Sequence, residues 1–77
     1  MEITVLFFGE LAEISGTKKV SVQDIEDTFC LKEYISKQHP KLKDRTYRMA
    51  VNKELVSEKQ ILHHGDEIAL LPAYAGG

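Results

Sequence analysis

A single cysteine, Cys30, is found among the 77 residues. One thiol cannot build an internal disulfide framework, which fits a reducing cytosol, and the expected location is cytoplasmic. Nor can one cysteine supply the four ligands of a [2Fe–2S] cluster. Long apolar runs are also missing. The two longest, Val5 to Phe8 and Ile68 to Leu71, are four residues each, against the roughly 18 that a membrane-spanning helix needs. The N-terminus carries no basic region ahead of an apolar run of the signal-peptide kind, and no membrane association is expected. Charge of one sign is not clustered along the chain: ten basic and twelve acidic residues are scattered, for a net charge of −2. A phosphate-tracking patch is not expected, and with it no nucleic-acid partner. There is no Ser/His/Asp set, no glycine-rich phosphate loop and no supported pair of carboxylates, so the chain is not expected to be an enzyme on its own.

What is present is the composition of an ordinary globule, 43% hydrophobic and 29% charged, sized for one domain with a small core. Glu2 to Phe8 alternates, with Ile3, Val5 and Phe7 on one face and Thr4, Leu6 and Phe8 on the other, which predicts a strand. Gly9 breaks it. Glu10 to Ile14 reads as a helical turn with Leu11 and Ile14 inward, and Gly16 releases the chain into a second strand over Lys18 to Val22. Asp27 or Thr28 is placed to cap a helix over Thr28 to Gln38. Thr28, Leu31, Ile35 and Tyr34 form its buried stripe, while Lys32, Glu33, Ser36 and Lys37 face water. His39-Pro40 ends it, because the residue before proline is pushed out of the helical region. Lys41 to Arg45 is a polar connection with Leu42 tucked back. Tyr47 to Val51 is a third strand with Met49 and Val51 inward, Asn52-Lys53 a tight turn, and Leu55-Val56 a short fourth strand. Ser57 to Leu62 reads as a loop or helical turn burying Ile61 or Leu62. His63 to Asp66 is a second turn, and Glu67 to Leu71 the last strand.

Periodicity alone supports a small α+β domain. The order β-β-α-β-β-β, with one main helix across a mixed sheet of about five strands, is that of a β-grasp (ubiquitin-like) fold. Its first and last strands are expected to be parallel neighbours at the sheet centre. The reading divides the chain into a domain over 1–71 and an extended tail over 72–77.

That tail, Pro72-Ala73-Tyr74-Ala75-Gly76-Gly77, ends on two glycines. Lacking a Cβ, glycine can approach another surface closely, so Gly76-Gly77 makes a slim carboxylate suited to a narrow channel. Extended, the six residues reach roughly 20 Å at about 3.3 Å each. Phe8, Leu55 and Leu71, with Ala69 and Leu6 nearby, are apolar positions on the second face of the sheet, and such a cluster suggests a protein interface. Cys30 has no partner cysteine and reads as structural. The adjacent His63 and His64 point apart in a turn with no third ligand, so no metal site is expected.

Three stretches and the ending resemble the small, sulfur-carrier subunit family of molybdopterin synthase. They are Val5-Leu6-Phe7-Phe8-Gly9-Glu10-Leu11 with Glu13 and Gly16, then Ala50-Val51-Asn52 with Leu55-Val56, then Gly65 to Pro72 and the closing Gly76-Gly77. The family usually carries two prolines and an aliphatic residue where this chain has Pro72-Ala73-Tyr74-Ala75. The resemblance implies that an E1-like adenylyltransferase joins Gly77 to AMP, and that a persulfide sulfur donor leaves a thiocarboxylate there. It implies no permanently bound cofactor, only the transient acyl-AMP made from ATP and then the thiocarboxylate sulfur. The charged tail would enter the large catalytic subunit of molybdopterin synthase and pass sulfur to cyclic pyranopterin monophosphate, within a heterotetramer of two small and two large subunits. Rival readings are a thiamine-pathway sulfur carrier, a ubiquitin-like protein modifier, and a β-grasp interaction module whose Gly-Gly is incidental.

Overall fold

Alternating burial along Glu2–Phe7 is the first sign of how the sheet is built: Ile3, Val5 and Phe7 are buried while Thr4 and Leu6 are only half-buried. The computed structural model describes residues 1–73. Its five strands are β1 (Glu2–Phe7), β2 (Lys19–Gln23), β3 (Tyr47–Val51), β4 (Glu54–Val56) and β5 (Glu67–Pro72). They form one sheet in the order β2-β1-β5-β3-β4. β1 and β5 are parallel at the centre and the remaining pairs are antiparallel. Two helices, α1 (Glu10–Ser15) and α2 (Thr28–Gln38), complete the fold. This is the expected β-grasp arrangement.

The core lies between α2 and one face of the sheet. Leu31 and Ile35 of α2 meet Ile3, Val5, Met49, Val51, Ile68 and Leu70, with Leu11 of α1 alongside. Helix α2 has the predicted bounds, and its first turn explains one of them: the Asp27 side chain accepts a hydrogen bond from the Cys30 N–H at 2.8 Å. That bond satisfies one of the donors a helix start leaves unpaired. At the other end His39 leaves the helical region (φ −131°) ahead of Pro40.

Three local features sharpen or extend the expectation. Pro40–Leu42 is a 3₁₀ turn, where only a polar connection is expected, and it seats Leu42, expected to be tucked back, among the most buried side chains. Of the two alternatives for residues 57–62, the structure has the loop and not the helical turn. Thr28 ties them down instead: its N–H donates to the Gln60 carbonyl and its hydroxyl accepts from the Gln60 N–H, both at 3.0 Å, so Leu62 is buried and Ile61 exposed. Finally, β5 continues through Pro72, whereas the sequence suggests a strand stopping at Leu71. The Phe8 N–H donates to the Leu70 carbonyl, which puts that edge of β5 toward β1. Pro72 turns the same way two residues on, where β1 has already left the sheet. Its missing N–H therefore deprives no partner, as proline in a strand requires.

The β3–β4 turn places Asn52 and Lys53 at positive φ, 50° and 73°. The Asn52 amide donates to Asp66 and accepts from the Glu67 N–H, both at 3.0 Å, clamping the hairpin to the start of β5. Among the described residues no helix is long and apolar enough to cross a membrane.

Candidate docking face and tail

Strand pairing aligns side chains on the sheet face away from α2 into rows. Leu6 of β1 is opposite Ala69 of β5, Ala69 opposite Ala50 of β3, and Ala50 opposite Leu55 of β4. One unbroken apolar row thus crosses four strands. Lys19 of β2 stands beyond Leu6 at its far end. In the next row toward the C-terminus Leu71 pairs with Arg48, and Phe8 lies just past the end of β1. Phe8 and Leu55 are 45% and 53% exposed, and Leu6, Ala69 and Leu71 are half-buried. No element covers them within the described residues.

The five interface residues expected from sequence therefore share one face. Two members escaped that reading. Ala50 completes the row between Ala69 and Leu55, and Arg48 borders Leu71. The signal for both was available: in a strand where Tyr47, Met49 and Val51 point to the core, Arg48 and Ala50 must point away. Two small alanines at the centre of the row keep the surface flat, and larger side chains rim it at Phe8 and Leu55.

The tail leaves this face along β5. Of its predicted residues, Pro72 still pairs with Tyr47, and the Ala73 N–H reaches the Thr46 carbonyl at 3.4 Å. The calls on Tyr74, Ala75, Gly76 and Gly77 lie outside the described residues.

Other reactive side chains are engaged locally. Cys30 is exposed, and hydrogen bonding to the Asp27 carboxylate is the first cause that pushes its thiol pKa up, which disfavours the reactive thiolate. His64 Nδ1 accepts the Glu2 N–H at 3.0 Å, and His63 Nδ1 lies 3.9 Å from Asp66 Oδ2. Asp66 itself is held below the usual carboxylate range, first by the His63 N–H and then by the Asn52 amide.

Known proteins share this arrangement from end to end. The sulfur carrier subunit of molybdopterin synthase from Mycobacterium tuberculosis is 33% identical over 82 residues, covering 100% of this chain and 99% of that one. Among solved structures, SAMP1 from Haloferax volcanii is similar with a TM-score of 0.85 at 25% identity, covering all of both chains. A chain in the complex of subunits 1 and 2 of the molybdopterin-converting factor from Helicobacter pylori is similar with a TM-score of 0.74 at 26% identity, again covering both chains fully. The model of the ThiS family matches residues 5–77, and with that match and a relative one-third identical along its whole length, the chain belongs to the ThiS family.

Proposed function

We propose that this chain is the sulfur-carrier subunit of a molybdopterin synthase. The observation that carries the reading is the end-to-end similarity to a sulfur carrier subunit of that synthase, in a chain whose sequence closes on Gly76-Gly77. The apolar row of Leu6, Ala69, Ala50 and Leu55, with Phe8 and Leu71 beside it, supports a docking role for the sheet face. The proposed division is a folded domain over 1–71 that docks and a tail over 72–77 that carries the reactive carboxylate, in the cytoplasm.

A carboxylate is a poor electrophile, so the Gly77 carboxylate is first joined to AMP by an E1-like adenylyltransferase, with loss of pyrophosphate from ATP. The terminal sulfur of a persulfide donor then attacks the activated carbonyl and displaces AMP. A second thiol takes the other sulfur of the resulting disulfide and leaves the thiocarboxylate on Gly77. Docked on the large subunit through Phe8, Leu55, Ala69, Leu71 and Leu6, the chain feeds Pro72, Ala73, Tyr74 and Ala75 along the partner's channel. The Gly77 sulfur forms a C–S bond to cyclic pyranopterin monophosphate there as a C–O bond of that substrate breaks, and water then cleaves the resulting thioester, leaving the sulfur on the pterin and a carboxylate on Gly77. The chain supplies a reactive atom and a surface, and the acid–base groups belong to its partners.

Intact mass spectrometry tests this directly. Incubation with ATP, the host's E1-like enzyme and a persulfide donor should exchange one oxygen for sulfur in the full chain and not in a chain lacking Gly77. No mass change under conditions that charge an established carrier would overturn the proposal. A second reading, a protein modifier whose Gly77 ends on a lysine, draws on the full-length similarity to SAMP1. It predicts adducts on other proteins that survive thiol reagents.

A further inference from the structure

Basic residues that are scattered along the sequence come together on the helix side of the fold. Phe29, the second residue of α2, is 60% exposed, more than any other large apolar side chain among the described residues. It stands between two open hollows. One, of about 260 Å³, is bordered by Phe29, Lys32, Tyr47 and Arg48. The other, of about 570 Å³, is bordered by Phe29, Lys32, Lys37 and Lys43. Sharing Phe29 and Lys32, they form one groove across the outer side of α2 toward β3.

Lys32, Lys37 and Lys43, with Arg48 of β3 at its rim, border this groove against two acidic side chains, Glu33 and Glu58. The rest of the chain holds six basic and ten acidic residues. The groove is therefore a positive strip on a negative molecule. Its charges are also uncommitted: the ion pairs among the described residues use Arg45 and Lys59, and none uses Lys32, Lys37, Lys43 or Arg48. An exposed aromatic ring among unpaired cations matches a chain that brings carboxylates and an apolar side chain together. We propose that the groove around Phe29 is a docking site for an acidic, extended segment of a partner protein. Leu6, Ala69, Ala50 and Leu55 lie on the opposite face of the sheet, so this occupant and a partner on the apolar row meet only at Arg48, which borders both surfaces. The proposal uses the chain alone and does not depend on the sulfur-carrier reading.

The test is a nuclear magnetic resonance titration of the ¹⁵N-labelled full chain with a short capped peptide of alternating glutamate and leucine. The same peptide with glutamine in place of glutamate is the control. The proposal expects saturable shifts at the amides of Phe29, Lys32, Lys37, Lys43 and Tyr47, absent with the glutamine peptide and weakened by salt. Phe29→Ala should weaken binding about tenfold, as loss of an aromatic anchor does, and the double substitution Lys32→Glu with Lys37→Glu should remove it. Both sites are exposed, so the variants should keep the parent's circular dichroism, and each tests the groove if the other fails to fold. Non-saturating shifts spread over Lys18, Lys53 and Lys59 would overturn the proposal, as would shifts centred on Leu6 and Leu55 or affinity unchanged in both variants.

Discussion

Leu70 and Leu71 are neighbours on β5 that belong to different surfaces, so truncating each in turn separates folding from docking. Leu70 is fully buried against the α2 side of the sheet, whereas Leu71 is half-buried on the open face. Leu70→Ala removes apolar volume from a site that collapses only partly, at a cost of about 3 kcal/mol. A 77-residue domain has about 4–11 kcal/mol in total. At about 5 °C for each kcal/mol, the expected fall in Tm is about 15 °C. Leu71→Ala opens no enclosed cavity and loses only part of a leucine's burial, about 0.5–1 kcal/mol, or roughly 3–5 °C. On docking, however, Leu71 is desolvated beside Phe8 and the apolar row. Its loss should weaken affinity for the large subunit about tenfold, the effect of about 1.4 kcal/mol. Thermal unfolding by circular dichroism and calorimetric titration with the large subunit read the two quantities separately. Equal destabilisation by the two substitutions would refute the assignment of faces. Unchanged affinity in Leu71→Ala would refute the docking role.

Lys53 sits at φ 73°, a conformation that costs a side-chain-bearing residue energy, and the Asn-Gly pair is the preferred one for such a turn. Lys53→Gly should therefore raise stability by about 0.5–1 kcal/mol in urea unfolding, and a loss would show that the turn carries no strain. The Tyr47 hydroxyl is buried with no hydrogen-bond partner, and burial pushes its pKa up. Tyr47→Phe removes that unpaired group, so it should leave stability unchanged or raise it by about 1 kcal/mol; a clear loss would mean the hydroxyl has an unseen partner. Asp27 is held below its ordinary pKa, first by the Cys30 N–H, and Asp66 below its own by the His63 N–H. A depressed folded-state pKa gives stability that is complete above the unfolded value and disappears as pH falls through the folded one. Stability should thus decline on acidification below the ordinary carboxylate range. Asp27→Asn should flatten part of that decline in pH-dependent urea unfolding, and an unchanged slope would remove Asp27 from the account.

Where alternation or capping marks an element, the sequence is readable. Met49 and Val51 alternate with polar or small neighbours and lie buried, and Asp27 with His39-Pro40 brackets α2 at both ends. Leu42 was legible as the one apolar residue of a charged stretch, but the 3₁₀ turn that seats it was not, because so short a stretch has no period. Ile61 and Leu62 are equivalent as letters; the Thr28 hydroxyl, which captures Gln60 from 32 positions away, decides which one is buried. Pro72 belongs to β5 because β1 ends first, a relation between two strands that no local window contains. The apolar sheet face was legible through Phe8, Leu55 and Leu71, while Ala50 was hidden because alanine is ambiguous between core and surface. The groove at Phe29 was invisible for a related reason: Lys32, Lys43 and Arg48 come from α2, a loop and β3, and only folding makes them neighbours.

The placement of the tail on β5 rather than on an edge strand has a mechanical consequence. β5 is held by β1 as far as Leu70 and by β3 as far as Pro72, so its direction is fixed on both sides until the tail begins. The same strand contributes Ala69 and Leu71 to the apolar face. A partner that grips this face would therefore also fix the point at which the chain leaves β5 at Pro72. From Pro72 to Gly77 the chain can extend at most about 20 Å. Under the proposed function, the partner's reactive centre is expected within that distance of the edge of this face, toward the end where Phe8, Leu71 and Arg48 stand. The open face shares β5 with the start of the tail, and it is free to dock because Ile3, Val5, Met49, Val51, Ile68 and Leu70 bury against α2 on the other side without it.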